Sequence, residues 1–108
     1  MSEKTERRRN SRKSIEFFVQ EHQGDRTFLH PAINLSTDGI YFLAASGRKI
    51  IDGESIMQLE FALPTGQEIK ATGRIVHVFQ SENQLGVGVR FESFVEGTAH
   101  DIERFLSA

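Results

Sequence analysis

The residues best suited to chemistry in this chain form two short polar motifs separated by 21 residues. The first, Arg7-Arg8-x-x-x-Arg12, lies in an arginine-rich amino-terminal segment, and the second, Asn34-x-Ser36-x-x-Gly39, follows an apolar run. Guanidinium groups bind phosphates, whereas amide and hydroxyl groups offer both donors and acceptors to a nucleobase. The two motifs therefore predict a site for a phosphorylated, base-containing ligand.

Each arginine of the first motif can bind a nucleotide in three ways. A guanidinium donates two parallel hydrogen bonds to a phosphate or to the O6 and N7 edge of guanine, and it also stacks on a base. Between Arg8 and Arg12 an extended chain spans at most ~14 Å, so these two side chains could grip opposite sides of a bound dinucleotide. The alternative is a solvated basic tail with loose affinity for nucleic acid or membranes.

The second motif has the composition of a turn. Asn34 and Ser36 alternate with Leu35 in an extended segment, so the two polar side chains should face the same side and could bind a guanine. Gly39 suits either a positive φ or a close approach of another backbone. The alternative is an Asx or Ser turn whose side chains satisfy only local backbone groups.

Charge divides the chain unevenly. Residues 1–13 hold six basic and two acidic residues, a net charge of +4, whereas the remainder holds seven basic and 13 acidic residues, a net charge of −6. We therefore expect a flexible, ligand-binding arm over 1–13 and one domain over 14–108. The 108 residues include no cysteine and no membrane-length apolar run, and the amino terminus lacks the apolar segment of a secretory signal, so we expect a cytoplasmic protein.

The body of the chain is patterned as short strands. Alternating apolar residues begin at Ile15 and recur over 27–35, 40–45, 57–63, 69–79 and 85–91, with Pro31 suggesting an edge or a bulge. The pattern then changes to helical spacing, and capping boxes at Ser93 and Thr98 place the helix start between Glu96 and Thr98. The prediction is a mainly β protein, a six-stranded barrel or sandwich with a carboxy-terminal helix.

In this order, the two motifs and the strand-rich body resemble the PilZ family of cyclic di-GMP receptors. The resemblance covers nearly the whole chain, including the later stretches 73–76 and 86–91, and implies a six-stranded antiparallel barrel. It implies that Arg7, Arg8, Arg12, Asn34, Ser36 and Gly39 bind the ligand, with Arg9 as a further candidate. The chain carries Asn34 where the family accepts Asp or Asn, and Ile40 where a second glycine often follows.

No residue set in the sequence predicts catalysis or a metal site. The four histidines lack ligand spacing, and Ser36 lacks a nucleophile elbow. We therefore expect a non-enzymatic, monomeric receptor without cofactor or membrane insertion, whose ligand is cyclic di-GMP. An unidentified partner protein would read the ordered arm in motility or exopolysaccharide control. Two alternatives stay open: an adaptor of the same family that binds no nucleotide, and a small barrel that binds single-stranded nucleic acid, which the acidic body disfavours.

Overall fold

The computed structural model describes the backbone of residues 13–108 and the side chains from Phe17 onward. The arginines of the first motif, Arg7, Arg8 and Arg12, and the further candidate Arg9 lie outside the described residues. The elements are β1 (Lys13–Gln23), β2 (Arg26–Leu35), β3 (Gly39–Leu43), β4 (Ile56–Ala62), β5 (Glu68–Gln80), β6 (Leu85–Glu96) and α1 (Ala99–Ser107).

The six strands form a closed antiparallel barrel in the order β1-β2-β3-β6-β5-β4. The barrel closes where β1 pairs with β4, with Gln20 opposite Glu60 and His22 opposite Gln58. Tight turns join β1 to β2 and β5 to β6, but the segment 44–55 must cross from β3 to β4, which is not its neighbour. The prediction of a six-stranded antiparallel barrel with a carboxy-terminal helix is confirmed.

The interior of the barrel is filled by side chains that alternate along each strand. Successive residues of a strand point to opposite faces, so every second residue of β4 is buried while its neighbours are exposed or half-buried. Helix α1 adds Ile102 and Leu106 to the same core. The buried core cluster consists of Val19, Ala32, Leu35, Ile40, Phe42, Met57, Leu59, Phe61, Leu63, Ile69, Val87, Val89, Ile102 and Leu106.

The helix starts at the later of the two predicted capping boxes. The Thr98 hydroxyl accepts the backbone N–H of Asp101, and the Asp101 carboxylate accepts the backbone N–H of Thr98 at 2.8 Å. Ser93 instead lies inside β6, which continues to Glu96 rather than ending near Phe91. Register shifts against β5 let this long strand bend, which simple alternation in the sequence does not reveal.

A buried ionic network holds the crossing segment against β1 and β2. The Glu21 carboxylate accepts hydrogen bonds from Arg48 Nε at 2.9 Å and Nη2 at 2.7 Å, and Arg48 also contacts Glu54. His30 Nδ1 accepts the backbone N–H of Ala45, so its Nε2 must carry the proton that it donates to Glu21 at 2.8 Å. The side chains of Glu21, His30 and Arg48 are all buried.

The network controls the acidity of Glu21. Burial alone would raise the pKa of this carboxyl, but hydrogen bonds from His30 and Arg48 outweigh burial and lower the pKa from 4.5 to about 2. The same carboxylate, together with Glu54, raises the pKa of the Arg48 guanidinium. Removal of either Glu21 or Arg48 would leave the other buried charge without its partner, which typically lowers the free energy of unfolding by about 3–5 kcal/mol.

Acid should therefore weaken the fold through Glu21. Because its pKa is lower in the folded state, its contribution is complete above pH 4.5 and disappears as the pH falls to about 2, a loss of about 3 kcal/mol. Urea unfolding of the wild type and of Glu21→Gln at several pH values measures this contribution. The difference in free energy of unfolding between the wild type and Glu21→Gln should decrease by that amount as the pH falls. A difference that does not change with pH would contradict this role of Glu21.

Candidate functional site

A bulge near the end of β2 turns Asn34 to the outer surface of the barrel. Ala32 lies opposite Phe42 of β3, but Asn34 lies opposite Tyr41, so Ile33 is an extra residue against β3. Such an insertion changes which side chains face outward. Ala32 and Leu35 are therefore buried, whereas Asn34 is half-buried on the outer surface opposite Tyr41.

Ser36 forms the turn that follows β2. Its backbone N–H donates to the Gly39 carbonyl at 2.9 Å, and its Oγ accepts the backbone N–H of Asp38 at 3.2 Å. The Asp38 carbonyl in turn accepts the backbone N–H of Phe91 at 2.8 Å, which fastens the turn to β6. The local Ser turn is thus present. The hydroxyl of Ser36 still carries its own proton, which it can donate to a ligand.

Gly39 serves the second of its two predicted purposes, a close backbone approach. A Cβ built at this position would lie 2.1 Å from the Val89 carbonyl oxygen and 3.1 Å from the Arg90 Cα. No other residue type fits without separating β3 from β6 at this point. Gly39 pairs directly with Arg90, so the turn and β6 meet at the same place.

These residues border one open groove of about 480 Å³ on the outer surface. The structure thus brings together all three motif residues that lie within the described part of the chain. The residues that line the groove are Asn34, Ser36, Asp38, Gly39, Ile40, Tyr41, Val76, Gly88, Val89 and Arg90.

Two side chains of the groove were missed by the sequence-based site assignment. Arg90 and Tyr41 lie in stretches that read only as alternating strands, and neither has a motif spacing relative to Asn34. Their sequence signal was indirect, since β3 and β6 each carry glycines at outward-facing positions that alternate with the buried Ile40, Val87 and Val89. Asp38 and Arg90 are the charged residues of the lining, so the described part of the groove has almost no net charge.

Strand pairing also places the start of β1 beside this groove. Lys13 lies opposite Leu35 and Ser14 lies opposite Asn34, so β1 begins beside the second motif. Arg12 is the residue immediately before Lys13 in the chain. Arg8 precedes Lys13 by five residues, a distance of at most ~18 Å along an extended chain. The connectivity therefore keeps the arginines within reach of the groove.

The barrel and its closing helix lie within a match to a known family. The model described as the PilZ domain matches residues 6–108, and the chain belongs to the PilZ domain family. A similar solved structure is the inhibitor of motility (MotI/DgrA) of Bacillus subtilis, with 20% identity and a TM-score of 0.72 over 94% of this chain. This chain spans about half of that one, 48% of its length, and the likeness shows the shared fold. The comparison with curated proteins found no match.

Between residues 13 and 108, no helix is long and apolar enough to cross a membrane. Nor do three or more His, Asp or Glu side chains of that region come together as metal ligands would.

Substitution of Gly39 should separate the two strands that form the groove. In Gly39→Ala the new Cβ would overlap the Val89 carbonyl, so the free energy of unfolding should fall by about 1–3 kcal/mol in chemical denaturation. Gly88→Ala is the matched control on β6, because its Cβ would meet its nearest neighbour at 3.4 Å and should cost far less stability. Equal losses for the two variants would show that the close approach at Gly39 is unimportant.

Proposed function

We propose that this protein is a non-enzymatic receptor for cyclic di-GMP. In this proposal Asn34, Ser36 and Gly39 form the guanine-binding part of the site, and the arginines of the Arg7-Arg8-x-x-x-Arg12 motif bind phosphate and the guanine edge. Arg9 is a further candidate contact. Residues 1–13 act as the ligand-binding arm of a single domain that spans residues 14–108.

The observation that carries the proposal is the pairing of Ser14 with Asn34, which starts β1 beside the groove. Two motifs that are separated in sequence thereby gain access to the same ligand. A basic tail without a specific ligand does not require that β1 begin at the edge of a groove lined by an amide, a hydroxyl and an aromatic ring. This arrangement favours the receptor over the alternative of a solvated tail.

Charge supports a shared role for the groove and the arm. The ligand carries two phosphates, whereas the groove lining carries one acid, Asp38, and one base, Arg90. Phosphate binding in this groove needs additional positive charge, and residues 1–13 have a net charge of +4. The groove therefore supplies hydrogen bonds for the base, and the arm supplies positive charge for the phosphates.

Ordering of the arm would make the arginines act together. Fixing about six residues costs on the order of 6–12 kcal/mol, whereas one charge-assisted hydrogen bond contributes roughly 1.5–3 kcal/mol. Several arginines must bind at once to offset that cost, so the loss of one should release much of the arm. The ordered arm would then present a new surface to a partner protein in motility or exopolysaccharide control, and the receptor itself would work as a cytoplasmic monomer.

Calorimetric titration with cyclic di-GMP tests the proposed site. We expect saturable binding to the full chain, weakened at least tenfold in Arg8→Ala and in Ser36→Ala, because each loses a hydrogen bond to the ligand. Arg104→Ala on the exposed face of α1 and Ser46→Ala in the segment 44–55 are matched controls that should bind like the wild type. Tight binding that survives both site substitutions would refute the site.

The same titration separates the two alternatives. An adaptor that binds no nucleotide would give no heat with cyclic di-GMP at any salt concentration. A single-strand-binding barrel would bind an oligonucleotide with an affinity that falls steeply with salt and would show little preference for the cyclic dinucleotide.

A further inference from the structure

The outer face of the barrel carries one aromatic ring among the described residues that line the groove, and its position depends on a glycine of β6, Gly86. Tyr41 lies opposite Asn34 on one side and opposite Gly88 on the other. Asn34, Tyr41 and Gly88 thus form a row across three strands. Resting on the receptor function proposed above, we propose that Tyr41 is a base-stacking residue that receives a purine of the cyclic dinucleotide.

The ring of Tyr41 lies across β6 rather than projecting away from the barrel. A Cβ built at Gly86 would lie 2.0 Å from the Tyr41 hydroxyl and 2.8 Å from Cζ, and one built at Gly88 would lie 3.8 Å from Cδ1. The ring therefore occupies the space where a side chain at position 86 would stand, so glycine at this position leaves room for it. A Cβ at position 88 would make only an ordinary van der Waals contact with the ring.

This arrangement creates a flat surface at the floor of the groove. The ring lies beside the backbone of β6 at Gly86, and Tyr41 is only half-buried, so part of its surface is available to the groove that it lines. Val76 adds an apolar side chain from β5, where a register shift between Ile75 and His77 turns an extra residue outward. A flat aromatic ring with an apolar border suits contact with the face of a base. A phosphate or a sugar does not need such a ring.

The row of Asn34, Tyr41 and Gly88 offers different side chains to the face and to the edge of a purine. Stacking accepts the face of any base, whereas hydrogen bonds read its edge. Asn34 is the cross-strand neighbour of Tyr41, so a base stacked on the ring lies beside an amide that can bind its edge. A purine bound in this way is held by its face on Tyr41 and by its edge on Asn34 and Ser36.

The composition of the chain provides a direct readout. Tyr41 is the single tyrosine of the sequence, and tryptophan is absent, so intrinsic fluorescence reports on this ring alone. Stacked guanine quenches tyrosine emission. Titration of the full chain with cyclic di-GMP should therefore quench the emission saturably, with the same midpoint that calorimetry gives, after correction with N-acetyltyrosinamide at matched ligand concentrations.

Variants test the energetic contribution of the ring. Tyr41→Phe keeps the aromatic face and should bind cyclic di-GMP within about twofold of the wild type. Tyr41→Leu should weaken binding about 10- to 100-fold, as loss of a base–aromatic stack does. Phe18→Leu is the matched control, because Phe18 is 56% exposed on β1 and is not part of the groove lining.

The outcomes distinguish this proposal from the one on which it rests. Binding heat without tyrosine quenching, or wild-type affinity in Tyr41→Leu, would overturn stacking and leave the receptor function intact. Absence of binding heat with the wild-type chain would overturn both. Because the fluorescence experiment uses the wild-type protein, the test stands even where Tyr41→Leu does not fold.

Discussion

The close approach of β3 and β6 at Gly39 is the constraint on which the site depends. At this seam the Val89 carbonyl occupies the space of a side chain, and the Asp38 carbonyl accepts the N–H of Phe91. The contact joins the β1-β2-β3 half of the barrel to the β6-β5-β4 half. The turn after β2 is thereby fixed against β6, so the groove has a rigid edge before any ligand arrives.

A second constraint acts at the crossing segment 44–55, which connects strands that are not neighbours. Its polar groups would be costly to bury alone, but Arg48 pairs with both Glu21 and Glu54, and the backbone N–H of Ala45 donates to His30. The ring of His30 also stacks on Phe42 with centroids 4.4 Å apart. The network therefore ties the segment to strands that also form the site, since β1 and β2 carry Ser14 and Asn34.

The sequence predicted most of the fold, because alternation in β1, β4 and β6 directly reflects a buried inner face. It placed the helix start to within two residues, because a capping box is a local pattern. Pro31 suggested an edge or a bulge in β2, but not the position of the bulge at Ile33. The sequence also could not predict the length of β6 or the partner of Glu21, since each depends on which strands become neighbours. The sequence did not indicate Tyr41 for the same reason: the space for its ring depends on Gly86, which lies 45 residues away in the chain.

In the proposed receptor, the groove and the arginine segment would contribute to binding in different ways. The groove is built from backbone contacts of paired strands, so it should change little when a ligand binds and should contribute affinity at low entropic cost. The arginines would have to be ordered by the ligand, and that ordering would offset part of the free energy of their contacts. Affinity would therefore be lower than rigid arginines would give, but the conformation of the arginine segment would then depend on the ligand, as a signal to a partner requires.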